Sequence, residues 1–258
     1  MKYLNFLRTY VCLLLGFAAF TACTSEEDDA LKPEGKGYVK LSLNADTGFK
    51  TKAVDESEYT KLDNYTVQIW QGETQIGEDR TYSDVKEQLI VLERGSYTVK
   101  AFMGEDKPVS TTSMYVVGSK DVTIANKVEE VSFVCKPVCA KVKVEFDPAM
   151  DQYFENYWVD FTTEAMGETD YTWKKEYTLP CYMKVNEKED VSVVINLVKK
   201  EGIKSETSIK KTYEMSPLMF KTIKLKPVLS NGSIGIEITV DESTNDKNVE
   251  IEVPSDWV

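Results

Sequence analysis

Apolar and polar residues alternate with a period of two along most of this chain, the pattern of half-buried β-strands. The clearest alternating segments are 37–43, 96–102 and 138–146. No apolar pattern of helical period continues beyond about ten residues, so doubly wound folds of strands and helices are excluded. The pattern therefore predicts an all-β protein.

The strand signals form two sets that meet near Lys136 and Pro137. Strands are predicted at 37–43, 65–70, 75–76, 89–92, 96–102, 115–117, 122–125 and 128–134, and then at 138–146, 190–198, 208–213, 220–225, 233–240 and 249–253. Residues 79–88 are ambiguous, with room for one helical turn. The first set has about the seven strands that a sandwich of ~100 residues uses. We therefore expect two tandem antiparallel β-sandwiches of Greek-key type, at 37–135 and 136–258.

The start of the chain departs from this pattern. Lys2 and Arg8 precede an apolar run at 10–22, which is too short to span a bilayer and suits a signal peptide. The run ends in small residues followed at once by Cys23. This arrangement resembles the lipobox of bacterial lipoproteins, which implies removal of residues 1–22 and acylation of Cys23. An ordinary signal peptide with a chance cysteine is the alternative.

Residues 23–36 are polar and acidic, contain Pro33 and Gly35, and lack apolar periodicity, so we interpret them as a flexible tether. The acidic cluster at 26–29 resembles the export signal of Bacteroidetes surface lipoproteins, although a solvated linker explains it equally well. Together with Cys23, the cluster favours a protein that is lipid-anchored in the outer membrane and faces the cell exterior.

Charge and composition exclude several functions. The chain carries a formal net charge of −12, and the loss of Lys2 and Arg8 would make it more acidic, which disfavours binding to nucleic acid. The sequence contains no histidine, which removes His-based catalytic triads and most zinc sites. We expect no cofactor and no enzymatic activity.

Cys135, Cys139 and Cys181 would remain in the mature chain. An odd number cannot form a full disulfide framework. Cys135 and Cys139 flank a bend at Pro137, where a bridge between them stays open as an alternative to burial as small apolar residues.

Three groups of residues are candidate sites. The segment 153–182 is rich in aromatics, and Tyr153, Tyr157, Trp158 and Trp173 are the candidates for a platform that stacks against sugar rings. Core packing is the alternative explanation for all four.

The other two groups are polar. Asp147, Asp151 and Glu155 lie close enough in sequence to form a catalytic carboxylate pair, but nothing in the sequence sets their separation. Oxygen ligands for calcium recur at 241–246, although the segment lacks the glycine of a tight chelating loop, so we expect a solvated hairpin tip and no metal site.

Segments 37–43, 90–102, 146–161 and 232–254 resemble a Bacteroidales surface lipoprotein family, domain of unknown function 4493, over most of residues 37–258. Two β-domains behind a lipobox are also similar to fimbrillin-type pilus subunits. That similarity implies transthyretin-like sandwiches, proteolytic removal of a first strand at residues 38–43, and its replacement by a partner's strand. No arginine lies between Cys23 and Asp79, so an arginine-specific cut is impossible there, and only Lys50 or Lys52, shortly after this strand, could serve instead.

The sequence therefore predicts a non-enzymatic, lipid-anchored surface protein in adhesion or fimbria-type assembly, as an anchor, a tip or a stand-alone protein. Its expected partners are the membrane, through Cys23, and pilus subunits. The alternative is a lipoprotein that binds a host or dietary glycan or another nutrient.

Overall fold

The computed structural model describes residues 35–49, 56–125, 127–200, 206–230, 233–241 and 247–249. Within these ranges the chain is mostly β-strand, with two short α-helices and two 3₁₀ turns. The all-β prediction is confirmed. We refer to residues 35–137 as the N-terminal half and to residues 138–249 as the C-terminal half.

The N-terminal half supplies nine strands and one helix. They are β1 (Lys36–Ala45), β2 (Thr66–Gln71), β3 (Thr74–Gln75), β4 (Arg80–Thr81), α1 (Tyr82–Val85), β5 (Ile90–Glu93), β6 (Gly95–Met103), β7 (Val109–Ser110), β8 (Val116–Ile124) and β9 (Val128–Pro137). The 3₁₀ turns, Ser57–Thr60 and Leu62–Asn64, lie between β1 and β2.

The described residues of the C-terminal half supply nine further strands and a second helix. They are β10 (Cys139–Phe146), α2 (Met150–Tyr153), β11 (Phe154–Thr162), β12 (Tyr171–Lys174), β13 (Cys181–Lys184), β14 (Glu189–Lys199), β15 (Glu206–Met215), β16 (Phe220–Ser230), β17 (Ser233–Asp241) and β18 (Lys247–Val249).

The structure corrects some strand predictions and supports one helical turn. β8 is one continuous strand where the sequence predicted two. Its central residues are polar and exposed, so they interrupt the apolar alternation but not the strand. β11, β12 and β13 fall in the aromatic-rich stretch to which no strands were assigned. The ambiguous stretch at 79–88 contains one helical turn, α1.

The two halves repeat one arrangement of seven strands. In the N-terminal half, β1 lies between β5, to which it is antiparallel, and β9, to which it is parallel. In the C-terminal half, β10 lies in the same way between β13 and β16. The opposing layers also correspond, with strand order β3-β2-β6-β8 in one half and β12-β11-β14-β15 in the other.

Two additions distinguish the C-terminal half. β17 pairs with β16 and carries β18, so a further antiparallel pair extends the sheet on that side. At the opposite edge of the same sheet, β7 of the N-terminal half pairs with β13. In the N-terminal half, β9 instead turns at its last two residues to pair with β8, which joins the two layers.

The alternating side chains fill two hydrophobic clusters. The first is built from the N-terminal half, with Cys139 and Tyr182 added from the C-terminal half, and the second lies within the C-terminal half. Burying a Val or Leu side chain contributes about 1.5–3 kcal/mol, so each layer is held mainly by this inward-facing set. We propose that the two clusters are the cores of two sandwich domains.

Candidate functional site

The predicted lipidation residue, Cys23, and the tether at 23–36 lie outside the described residues, except for the last two positions. The candidate oxygen ligands at 242–246 also lie outside them. Among the described residues, no helix is long and apolar enough to cross a membrane. No cluster of three or more potential metal ligands occurs in the same part of the chain.

The four aromatic candidates for a stacking platform do not share one surface. Trp173 is fully buried, and its ring packs edge-on against those of Tyr171 and Tyr177. Tyr157 is also buried and contacts Phe146. Both lie on the inward face of the β11–β12 pair, because alternate residues of a strand point to opposite sides. Their rings are therefore part of the core, while Tyr153 and Trp158 remain half-buried.

Trp158 lies on the outer face of the β12-β11-β14-β15 sheet and is held there by a polar network. Its indole N–H donates to Asp160 Oδ2 (3.1 Å), which also accepts from Asn196 Nδ2 (2.7 Å). Asp160 Oδ1 accepts from the Thr172 hydroxyl (2.6 Å), and Ser208 donates to Asn196 Oδ1 (2.6 Å). This row links all four strands and fixes the orientation of one half-exposed indole.

The candidate carboxylates are occupied by local contacts. Asp147 Oδ1 accepts a hydrogen bond from the Ala149 backbone N–H (2.8 Å), which starts the turn into α2. Asp151 Oδ1 accepts from the Tyr157 hydroxyl (3.1 Å) and lies 3.6 Å from Lys175 Nζ. Burial, together with this bond and the charge of Asp151, raises the pKa of Tyr157 to about 12. These contacts stabilise a turn and a core edge.

Cys135, Cys139 and Cys181 are free and buried. Burial raises the pKa of Cys135 to about 11 and that of Cys139 and Cys181 to about 12. The three thiols therefore stay protonated near neutral pH and pack as small apolar groups.

The strand β1 occupies a central position although it begins the described chain. Its inward residues Val39, Leu41 and Leu43 are buried, and eight of its residues pair in parallel with β9. Glycine is needed at position 37 because β1 passes close to the backbone of Ala125 there. A Cβ on residue 37 would lie 2.3 Å from the Ala125 carbonyl oxygen. β1 is thus an integral part of the N-terminal core.

The segment that follows β1 leads into a buried charged cluster at the junction between the halves. Lys141 of β10 is fully buried, and its Nζ donates to Glu56 Oε1 (2.7 Å). The Tyr182 hydroxyl of β13 donates to the same oxygen (3.0 Å). Burial, followed by the charge and hydrogen bond of Glu56, raises the pKa of Tyr182 above its ordinary value.

Three rings surround the ammonium group of Lys141. Its Nζ lies 5.4 Å from the ring centroid of Phe49, 5.8 Å from that of Tyr182 and 5.2 Å from that of Phe220. Cations this close to aromatic faces are attracted by the ring quadrupole, and more strongly when water is excluded. We call Phe49, Glu56, Lys141, Tyr182 and Phe220 the junction cage.

The sequence offered no sign of this cage. Lys141 was expected on the outward face of an alternating strand, which is where it points, but the N-terminal half covers that face. The second contact across the junction was also missed, because β7 has only two residues. Ser110 and Val109 pair with Tyr182 and Met183, and the Lys184 N–H donates to the Pro108 carbonyl (2.9 Å).

Residues 35–255 match the family described as Domain of unknown function (DUF4493). The predicted resemblance to this family is confirmed. Among proteins of curated function, none matches the sequence.

Several solved structures align with most of this chain. A fimbrial assembly protein from Parabacteroides distasonis is 11% identical, with a TM-score of 0.40 over 84% of this chain and 98% of that one. A proposed adhesin from Bacteroides ovatus is 10% identical, with a TM-score of 0.47 over 83% and 95%. Another proposed adhesin, from Bacteroides thetaiotaomicron, is 12% identical, with a TM-score of 0.42 over 80% and 97%. Similarity at this level says nothing about what this chain binds.

Proposed function

This chain belongs to the DUF4493 family, and we propose that it is a non-enzymatic, lipid-anchored surface protein acting in adhesion or fimbria-type assembly. The observation that carries the proposal is the position of β1, a strand from the start of the described chain that lies between β5 and β9 in the core.

A strand in this position can be exchanged between chains. β1 contributes backbone pairs on both sides and the buried side chains of Val39, Leu41 and Leu43. A strand from another molecule with the same alternation would satisfy the same pairs and fill the same space. The cost of leaving the space empty is several kcal/mol, at about 1.5–3 kcal/mol for each side chain, so β1 must be present or replaced.

The chain after β1 also ties this strand to the C-terminal half. Phe49 and Glu56 follow β1 and complete the junction cage around Lys141. Removing Glu56 from the cage would leave a buried ammonium without its carboxylate, which costs several kcal/mol. The junction therefore favours a retained β1, which supports an anchor, tip or stand-alone role.

Lipidation of Cys23 would place the protein at a membrane. Each buried acyl CH₂ contributes about 0.8 kcal/mol, so a multiply acylated cysteine gives a stable anchor. The polar residues between Cys23 and Lys36 allow a reach of about 3.3–3.6 Å per residue from that anchor. We propose that the protein is held in this way at the outer membrane and faces the exterior.

Two experiments test the two parts of this proposal. For the anchor, Cys23→Ser is expected to move the protein from the envelope pellet to the soluble fraction, and Cys12→Ser serves as the matched control. Protease shaving of intact cells then reports orientation. A Cys23→Ser protein that stays in the pellet would contradict the anchor.

For the strand, a specific protease site is introduced between Phe49 and Glu56 of the full chain, and the protein is cut after folding. Cut protein is expected to exchange β1 for a labelled peptide of residues 36–45, and a peptide carrying Leu41→Asp serves as the control. Incorporation of both peptides, or of neither after prolonged incubation, would contradict an exchangeable strand.

A second candidate function is glycan binding, which is favoured by the hydrogen-bonded indole of Trp158. The outer face around it offers one aromatic ring beside Asp160, Thr172 and Ser208, a combination that suits a sugar ring. A glycan array comparing the wild-type protein with Trp158→Ala tests this role. Tyr177→Ala, which truncates another exposed ring, is the matched control.

A further inference from the structure

The chain enters each half through the strand that lies at the centre of a sheet. β1 lies between β5 and β9, and β10 lies between β13 and β16, and in both cases one of the two neighbours is parallel. The parallel ladder begins at Tyr38, which lies between Val91 and Val128, in the first case and at Lys141 in the second. Tyr38 and Lys141 are therefore equivalent positions, and each central strand is bound along its length to a strand that runs in its own direction.

The two ends of the β1–β9 ladder lead to different parts of the chain. β1 begins at Lys36, which in sequence is the end nearer to the predicted anchor at Cys23. β9 ends at Pro137, and after one further residue the chain continues as β10 of the C-terminal half. Because β1 and β9 are parallel, the start of β1 and the connection to the C-terminal half lie at opposite ends of the ladder. A pull on Lys36 against the C-terminal half therefore acts along the two strands, in opposite directions.

A ladder that is pulled along its strands resists as a whole. This one contains eight residue pairs, from Tyr38 with Val128 to Ala45 with Cys135. Hydrogen bonds in a sheet run across the strands, so a load along the strands is shared by all of them and they must break together. A load that separates the same strands from one end breaks the bonds one after another. Forced unfolding is governed by the unfolding rate, and the first geometry has the higher barrier because more bonds break in a single step.

Two backbone hydrogen bonds close this ladder at its ends. The Tyr38 N–H donates to the Lys127 carbonyl (3.2 Å), and the Asp46 N–H donates to the Cys135 carbonyl (2.9 Å). The ladder therefore reaches past the last residue of β1 toward the junction.

The opposite edge of β1 is held as well. β5 pairs with β1 from Lys36 to Val39. Farther along this edge, the Leu43 N–H donates to the hydroxyl of Tyr82 in α1 (3.2 Å) at a buried position. The side chains of Val39, Leu41 and Leu43 are buried, so a sliding β1 would also have to pull all three out of the core.

The C-terminal half receives the load through an arrangement of the same kind. β10 is parallel to β16 over six pairs, which start at Lys141 and end at Phe146. The junction cage provides a second link, because Glu56, which follows β1 in the chain, contacts Lys141 at the start of this ladder. Tension between the halves is therefore not carried by the covalent connection at Val138 alone.

We propose that the β1–β9 ladder is a shear clamp, formed by residues 38–45 and 128–135, that carries tension between the N-terminal anchor and a C-terminal half engaged in adhesion. The inference rests on the proposed surface function, which places a membrane anchor before β1, and it adds a mechanical role to that function. It requires a β1 that is retained in its own chain, because a strand supplied by another molecule would interrupt the covalent path from the anchor.

Single-molecule force spectroscopy tests the clamp on the full chain carrying Cys12→Ser and Cys23→Ser. Handles are attached to engineered cysteines, since the three native thiols of the described chain are buried. Handles at Lys36→Cys and Lys136→Cys load the ladder along its strands. Handles at Lys36→Cys and Lys127→Cys are the matched control, because Lys127 precedes the other end of β9 and this pull opens the same ladder pair by pair.

At the same loading rate, the rupture force along the strands is expected to be about twofold or more above that of the control. A rupture force along the strands that is equal to the control or lower would overturn the clamp.

Two core variants separate mechanical resistance from overall stability. Leu41→Ala lies in the clamp, whereas Leu197→Ala lies in the C-terminal core, outside the path between the handles. Leu41→Ala is expected to lower the rupture force along the strands, and Leu197→Ala is expected to leave it unchanged. An equal loss in both variants would show that the force reports global stability, and the clamp would be wrong.

The force measurement uses no lipid, so its failure is distinct from failure of the anchor. Equal forces in the two geometries, in a protein that Cys23→Ser releases from the envelope, would leave the surface function standing and overturn the clamp alone. A protein that stays in the envelope pellet as Cys23→Ser would remove the anchor, and with it the tension that the clamp is proposed to carry, even if the ladder resists shear.

Discussion

The N-terminal and C-terminal halves share one strand arrangement but differ in what lies against it. The central strand of the C-terminal half carries a lysine on its outer face, and the N-terminal half surrounds that lysine with rings and a carboxylate. The central strand of the N-terminal half carries Tyr38 at the same position, between two exposed valines. In both halves the inward residues of the central strand are apolar and fill a core. The outward residue at the equivalent position differs between the halves because a different environment lies against it.

The largest effect is expected from Glu56→Ala, which removes the carboxylate from the buried lysine of the junction cage. Because Lys141 is fully buried, the loss is expected to destabilise the protein by about 3–5 kcal/mol in urea unfolding. Lys141→Met should cost less, because the remaining Glu56 carboxylate is partly exposed and keeps the hydrogen bond from the Tyr182 hydroxyl. Glu145→Ala breaks the partly exposed pair with Lys143 and should cost about 0–1 kcal/mol. Equal effects of Glu56→Ala and Glu145→Ala would show that the cage is not tightly closed.

Core truncations test how far the halves unfold together. Leu41→Ala and Leu197→Ala, one in each cluster, are each expected to cost about 2–5 kcal/mol. Because β7 and the cage join the halves, both variants should shift a single unfolding transition followed by circular dichroism. Two transitions, each moved by only one variant, would contradict this coupling.

A smaller effect is expected at alkaline pH from Tyr157, a buried tyrosine of the C-terminal core. Its pKa is raised from 10.0 to about 12, so between these values the unfolded chain releases a proton that the folded chain keeps. Stability should therefore fall as pH rises through this window, with a contribution of roughly 1.4 kcal/mol per pH unit at most. Tyr157→Phe should lessen the slope above pH 10 and leave only a constant offset below it. A wild-type slope retained in the variant would assign the loss to other groups.

The smallest expected effects concern two tryptophans on corresponding strands. The Trp158 indole donates to the carboxylate of Asp160, and the Trp70 indole of β2 donates to the neutral Gln68 side chain (3.2 Å). Hydrogen bonds to charged groups contribute about 1.5–3 kcal/mol and neutral ones about 0.5–1.5 kcal/mol. Partial exposure lowers both values, but Trp158→Phe should remain more costly than Trp70→Phe in thermal unfolding. The reverse order would indicate that Asp160 is held mainly by Asn196 and Thr172.

Much of the strand pattern could be predicted because it depends on local alternation. The boundaries of β1, β6 and β10 differ from the predicted ones by at most two residues at each end. The aromatic-rich strands β11 to β13 were missed because large residues on both faces hide a period of two. β7 has only two residues, so its sequence cannot show an alternation, and it forms by pairing with the edge of β13.

The candidate sites were less predictable for the same reason. Trp173 is suited to a sugar platform by residue type, but the pairing of β12 with β11 turns it into the core. Glu56 and Lys141 lie far apart in sequence, and nothing near either residue indicates the other. Only the register of β10 beside β13 and the position of Glu56 across the junction bring them within 2.7 Å.

The sequence by itself determined the all-β class and the inward residues of the strands, because burial of alternate side chains acts within each strand. The sequence also shows that the chain is acidic and lacks histidine, and it predicts a signal peptide that ends just before Cys23. Only the tertiary structure decided which outward residues are covered, as Lys141 is and Val91 is not. Coverage depends on contacts between segments that are distant in sequence, such as Glu56 with Lys141, and no local pattern specifies them.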